Sequence, residues 1–161
     1  MKGPLTIGAK LKFKFRAGSH GLAEETGRRA GVVREERVCE FCCDGVENVA
    51  HFCWTCPLYN VMRETFLAEL ETCLGSGRFD DLMSCDVDER TLMVLSHERW
   101  GDAANPLDAS LQKFLVDAWV CRCKHKYKEK SFYKDMNVVC TAVIQREANG
   151  PLTTAGNTNV D

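Results

Sequence analysis

The side chains best suited to chemistry lie between Cys39 and Cys56, in the run CEFCCDGVENVAHFCWTC. Cys39, Cys42, His51 and Cys56 follow the spacing C-x2-C-x8-H-x4-C. A two-residue gap lets two thiolates on one tight turn reach the same ion, and a His and a Cys on a returning segment complete a tetrahedron. Three thiolates and one imidazole leave no open position for water, so the chemistry is that of a structural Zn2+ site, a staple and not a catalytic centre. Cys53 and Cys56 form a second CxxC, which makes Cys39, Cys42, Cys53 and Cys56 an equally tetrahedral all-thiolate set with His51 outside it. Spacing leaves both sets open beside a thiol-rich turn that holds no metal. Cys43 reads as a bystander, turned away from the face that Cys42 presents.

The elements that must position these ligands are mostly helical in pattern. Pro57 suits the first turn of a helix, and Leu58, Met62, Phe66, Leu70 and Leu74 recur at near-helical spacing until Gly75-Ser76-Gly77 ends the run. Asp80 and Asp81 read as residues of a helix N-terminus or a turn, Asp88 as the cap of a short helix through Leu95, and residues 101–105 as a turn. Asn105-Pro106 opens the longest pattern, with Leu107, Leu111, Phe114, Leu115, Ala118, Trp119 and Arg122 on one side.

Upstream, Lys10, Lys12, Lys14 and Arg16 alternate with Leu11, Phe13 and Phe15, which by periodicity is a half-buried strand with a basic face. Residues 1–9 read as a flexible lead-in and residues 27–31 as a loop that exposes the guanidinium groups of Arg28 and Arg29. Arg34 to Arg37 read as a solvated mixed-charge face, and His20 as a packed or capping histidine. The architecture expected is mainly α: a basic N-terminal segment over 1–38, a zinc-knuckle-like module over 39–57, a helical region over 58–144 and a disordered tail over 145–161.

The flanks of the cysteine run carry a family resemblance. Gly18-Ser19-His20, Glu25-Thr26-Gly27-Arg28, Arg37 before the first ligand, His51-Phe52 and Cys56-Pro57, with Tyr59 and Arg63 following, resemble the C-terminal segment of LINE-type reverse transcriptases from non-long-terminal-repeat retrotransposons. The match covers residues 10–70 well and the later helices loosely. It implies His51 as the third ligand, because the family places an apolar residue where Cys53 stands. It also implies a helical form for residues 10–16, and a role in holding template RNA or target DNA for the polymerase. The chain then reads as a fragment or remnant without palm, fingers or endonuclease.

Charge is unevenly spread within a net charge of −2. Residues 1–39 hold nine Lys/Arg against four Asp/Glu, residues 40–117 five against fifteen, and residues 118–161 seven against four. Two basic ends around an acidic middle suit a polyanionic partner. The N-terminus shows no apolar signal-peptide core and no run reaches membrane-spanning length, so ten cysteines point to a reducing intracellular compartment, nucleus or cytoplasm. Phe79-Asp80-Asp81 lacks the aromatic that a polymerase palm places two residues before its paired carboxylates, since Arg78 stands there. No catalysis and no small-molecule substrate are expected.

Two functions follow from these residues. In the first, the knuckle presents Phe41, Phe52 or Trp54 to unstacked bases of RNA or single-stranded DNA while Arg28, Arg29, Lys124 and Lys128 hold phosphates. In the second, a structural or protein-docking module uses those aromatics as its core. Cys121-x-Cys123-x-His125 reads as structural thiols rather than a second metal site, because a helix sends the three side chains in different directions.

Overall fold

The computed structural model describes residues 5–128, and the expectations for residues 132–144 and the tail lie outside them. The fold is mainly α. Helices α1 (Ile7–Arg16) and α2 (Ala23–Arg29) precede the cysteine run, and α3 (Asn60–Leu74), α4 (Ser76–Ser84), α5 (Val87–Leu95) and α6 (Ala104–Lys128) follow it. Among the described residues, β pairing is confined to one antiparallel bridge between Val38 and Val46.

Helix α6 is the axis of the fold and packs chiefly against α3 and α1. Its buried residues Leu107, Leu111, Phe114, Leu115 and Ala118 keep the spacing read from the sequence. Phe114 stacks on Phe66 of α3, with ring centroids 4.9 Å apart and planes 17° from parallel. Gly75 ends α3 at a φ of 77°, a left-handed conformation that glycine adopts without a Cβ penalty.

Several local expectations are corrected. Residues 10–16 take the helical form that the resemblance implies and not the strand that periodicity allows, and the lead-in is ordered from Thr6, whose side chain caps α1 by accepting from the Ala9 amide. The alternation misleads because Lys12 lies on the buried face of α1, where it pairs with Asp108 of α6. Arg28 and Arg29 close α2 rather than occupying a loop. Asp86, not Asp88, caps α5, accepting from the amides of Asp88 and Glu89. Asp80 and Asp81 lie in the middle of α4, and residues 97–103 form a 3-10 turn kinked at Gly101 that runs directly into α6.

Arg37 also leaves the solvated face assigned to it. Its guanidinium donates to the carbonyls of Val32 and Glu24, tying the chain before the first ligand to α2. The side chain crosses α2 at Gly27, where an added Cβ would stand 2.7 Å from Arg37 Cγ. A glycine is required there by close approach.

Candidate metal centre

The Cys39 to Cys42 turn is built as a knuckle. The Cys43 amide bonds the Cys39 carbonyl at 2.9 Å and the Cys39 amide bonds the Gly45 carbonyl at 3.0 Å, so the chain doubles back within seven residues. The turn places Cys43 at a φ of 56° and exposed, which keeps its thiol out of the site. Amides of Phe41 and Cys42 point at the Cys39 sulfur, and the Leu58 amide points at that of Cys56. Such N–H groups offset negative charge gathering on thiolates.

The returning segment is a short helix whose last turn, His51–Thr55, is π-type, closed by the Cys56 amide on the His51 carbonyl at 2.9 Å. Asn48 starts it, its side-chain oxygen accepting from the His51 amide at 2.7 Å. The widened turn brings His51 and Cys56, five positions apart, to the same point, and π turns recur where a helix must serve a site. Pro57 follows at the first position of a 3-10 turn, Pro57–Tyr59, which leads into α3.

Cys39, Cys42, His51 and Cys56 place their ligand atoms within 4.8 Å of one another, close enough to hold one metal ion. Cys39 and Cys56 sulfurs are 3.9 Å apart, and the Cys42 sulfur is 3.3 Å from His51 Nε2. A tetrahedral ion with bonds of about 2.3 Å to sulfur and about 2.0 Å to nitrogen separates two sulfurs by about 3.8 Å and sulfur from nitrogen by about 3.5 Å. The residues fit such an ion.

Around the ligands, a second layer fixes their orientation. Thr55 Oγ1 lies 3.0 Å from His51 Nδ1 and donates to the His51 carbonyl at 3.4 Å. With Nε2 turned to the sulfurs as a lone pair, Nδ1–H donates to Thr55, which sets the tautomer that ligation needs. Burial disfavours the charged imidazole and lowers the His51 pKa, which keeps the ring neutral. Arg63 of α3, itself buried, donates to the carbonyls of Cys53 and Cys56 at 2.8 and 2.6 Å. It thereby clamps the segment between the third and fourth ligands onto α3.

Cys53 falls outside the cluster. It is buried, and burial pushes its thiol pKa up to about 12, the behaviour of a small core side chain. Burial also pushes the Cys56 thiol up to about 12 and raises that of Cys39. These two sulfurs are sealed from water, so an ion would supply the charge that stabilises their thiolate forms.

Of the aromatics in the run, Phe52 and Trp54 are core, the second of the two roles that the sequence allows. Phe52 has no exposed surface and meets Phe15 of α1, Tyr59, Phe114 and Trp119 at centroid distances of 5.1, 4.5, 6.2 and 6.2 Å. Trp54 donates from Nε1 to Thr91 of α5 at 2.8 Å, packs beside Phe66, and carries the Arg90 guanidinium over its ring. No face of Trp54 is left for a base. Phe41 is half-buried under Arg122.

Among the cations named from the sequence, Arg28 and Arg29 are exposed but share the buried carboxylate of Glu25, at 2.7 and 3.0 Å. The Arg28 hydrogen bond, with the Arg28 and Arg29 charges, holds that carboxyl down to about 2. Lys124 is exposed on α6, and Lys128 is its final residue. In the 121–125 run, Cys121 and His125 share a face, sulfur to Nδ1 3.7 Å, while Nδ1 also meets the Cys121 carbonyl at 3.0 Å.

The sequence leaves Glu47 unmarked and gives Arg122 a place on the apolar side of the longest helix but no partner. Glu47, inside the run, is buried and meets the buried Arg122 of α6 through two hydrogen bonds of 2.8 and 3.1 Å, while also accepting from the Ala23 amide of α2. Burial works against the Arg122 charge, but the hydrogen bonds and charge of Glu47 outweigh it and raise the Arg122 pKa. The signal was an arginine in register with the apolar side of the longest helix. No family model, curated protein or solved structure matches the chain.

Proposed function

We propose that this chain is a zinc-stapled, non-catalytic module that binds RNA or single-stranded DNA, akin to the C-terminal segment of the LINE-type reverse transcriptases that its sequence resembles. The observation that carries the reading is the closed donor set of three sulfurs and one imidazole nitrogen within 4.8 Å. Zn2+ accepts that soft, four-coordinate set without a redox or geometric preference of its own, and the full tetrahedron leaves no position for a reacting water. The metal holds the fold.

Nucleic-acid affinity then resides on the outer surface, since Phe52 and Trp54 are enclosed. Arg28, Arg29 and Arg34 expose about three fifths of their side chains, and Lys124 is exposed. Their charge supports phosphate contacts, and a reducing compartment would keep the cysteines available as ligands. Burial of Trp54 favours the second reading, a protein-docking module with no nucleic-acid partner.

Titration of the zinc-loaded chain with single-stranded RNA and DNA across salt concentrations separates the two. Each phosphate contact contributes about −0.7 to the slope of log affinity against log salt, so three or four contacts give roughly −2 to −3. Replacing Arg28 and Arg29 by Ala should flatten the slope by about 1 to 1.5 with the metal retained. Folded, zinc-loaded protein that binds neither strand at low salt leaves the docking reading.

A further inference from the structure

Helix α1 carries an aromatic ring that the fold does not use. Phe13 is 67% exposed, although Lys12 before it and Phe15 two residues on are buried against the body of the protein. On a helix surface a side chain meets those three and four positions away. For Phe13 these are Ala9 and Ala17 at four and Lys10 and Arg16 at three. The alanines leave the ring uncovered and the cations flank it on either side.

The ring borders a groove of about 550 Å³, lined by Leu5, Ala9, Arg16 and Ala17 and, across it, by Asp108 and Gln112 of α6. Asp108, the acidic group of that groove, is paired with Lys12. Arg16 makes an exposed pair with Glu98 at 3.1 Å, a contact that competes weakly in water. Lys14 adds a fourth cation to the same ten-residue helix, which holds no acidic residue.

We propose that this outer face of α1 is where the module takes a single strand of nucleic acid, one base stacking on Phe13 while Lys10 and Arg16 contact the flanking phosphates. The assignment rests on the nucleic-acid reading above and adds a base-stacking site to the exposed cations named there. Charge complementarity selects a polyanion, and an uncovered aromatic between cations selects one that offers planar faces. A base stacks on an aromatic ring irrespective of its sequence, and the flanking cations track the backbone. A duplex keeps its bases stacked on each other and has no free face to offer, so the strand should be single.

The test is fluorescence anisotropy of the full zinc-loaded chain with oligo(dT), oligo(U) and a DNA duplex, beside flotation with anionic lipid vesicles. Phe13→Ala should weaken single-strand binding roughly 5- to 100-fold with an unchanged salt slope, and Phe13→Leu should do the same. Phe13→Tyr should bind as the parent does. Lys10→Ala should instead flatten the salt slope by about 0.7.

Parent affinity in Phe13→Ala or Phe13→Leu overturns this site while leaving nucleic-acid binding intact elsewhere on the surface. Duplex binding as tight as single-strand binding also overturns it. Vesicle binding that Phe13→Leu preserves, without strand binding, makes the face a membrane contact. Absence of strand binding in the folded parent removes both this site and the function it rests on. Because Phe13 is exposed, unfolding does not confound these variants, and metal content on the same samples confirms it.

Discussion

Glu47 and Arg122, seventy-five positions apart, form a two-pronged ion pair with side chains 2% and 5% exposed. The pair joins the cysteine knuckle to the longest helix. Arg122 also lies over the rings of Phe41 and Trp119 at 5.1 and 5.6 Å, so one guanidinium touches both parties to that junction.

Removing one partner strands the other charge inside the protein. Arg122→Ala should cost about 3 to 5 kcal/mol of unfolding free energy by urea denaturation of the zinc-loaded chain. The double variant Glu47→Gln with Arg122→Met should cost less than the sum of the two single changes, since neither leaves a buried charge behind. Strict additivity would show that the pair does not couple knuckle to helix.

Metal content distinguishes the two ligand sets that spacing allows. His51→Ala should lower bound zinc sharply, whereas Cys53→Ala should retain it with a modest loss of stability. Direct metal analysis after gel filtration reads both. The reverse order would establish the all-thiolate set.

Trp54 serves stability. Trp54→Ala should destabilise by about 3 to 5 kcal/mol, and Thr91→Val, which strands the indole N–H, by about 1 to 3 kcal/mol. Urea midpoints measure both. A Trp54→Ala protein that unfolds with the parent yet fails to bind a strand would return Trp54 to the surface.

His20 sets a pH dependence. It is buried against Phe15, its Nδ1 has no hydrogen-bond partner, and burial lowers its pKa below 6.5, with Glu24, Glu25 and Glu47 opposing and Arg29 adding to the shift. The unfolded chain takes up a proton near pH 6.5 while the folded one resists. The His20 contribution is therefore full above about pH 6.5 and lost as pH falls through its folded value. In urea midpoints against pH, His20→Phe should show a shallower decline on the acid side than the parent. Parallel curves would refute the assignment.

Much of this architecture was legible because helices announce themselves by period. Leu107 to Ala118 and Phe66 to Leu74 bury the face that their spacing marks, and CxxC with a returning His and Cys marks a ligand set by type alone. Residues 10–16 stay open in the sequence because alternation in so short a run fits a strand as well as a helix whose buried face includes an ion-paired lysine. Trp54 and Phe52 were ambiguous for a different reason. An aromatic beside a metal ligand has the same sequence signature whether it faces solvent or core, and only the placement of α1, α3 and α6 decides. Glu47 and Arg63 bind across distance or to backbone carbonyls, and neither kind of partner leaves a spacing rule.

The ligands are contiguous while their clamp is remote, and this orders events in time. A chain leaving the ribosome presents Cys39 to Cys56 well before Arg122 is made. Until then Glu47 has no arginine partner and stays in water. Helix α6 supplies both what buries that carboxylate, Arg122, and two of the rings that close over Phe52, those of Phe114 and Trp119. A nascent chain arrested before residue 104, the start of α6, should thus leave Phe52 more accessible than it is in the full chain.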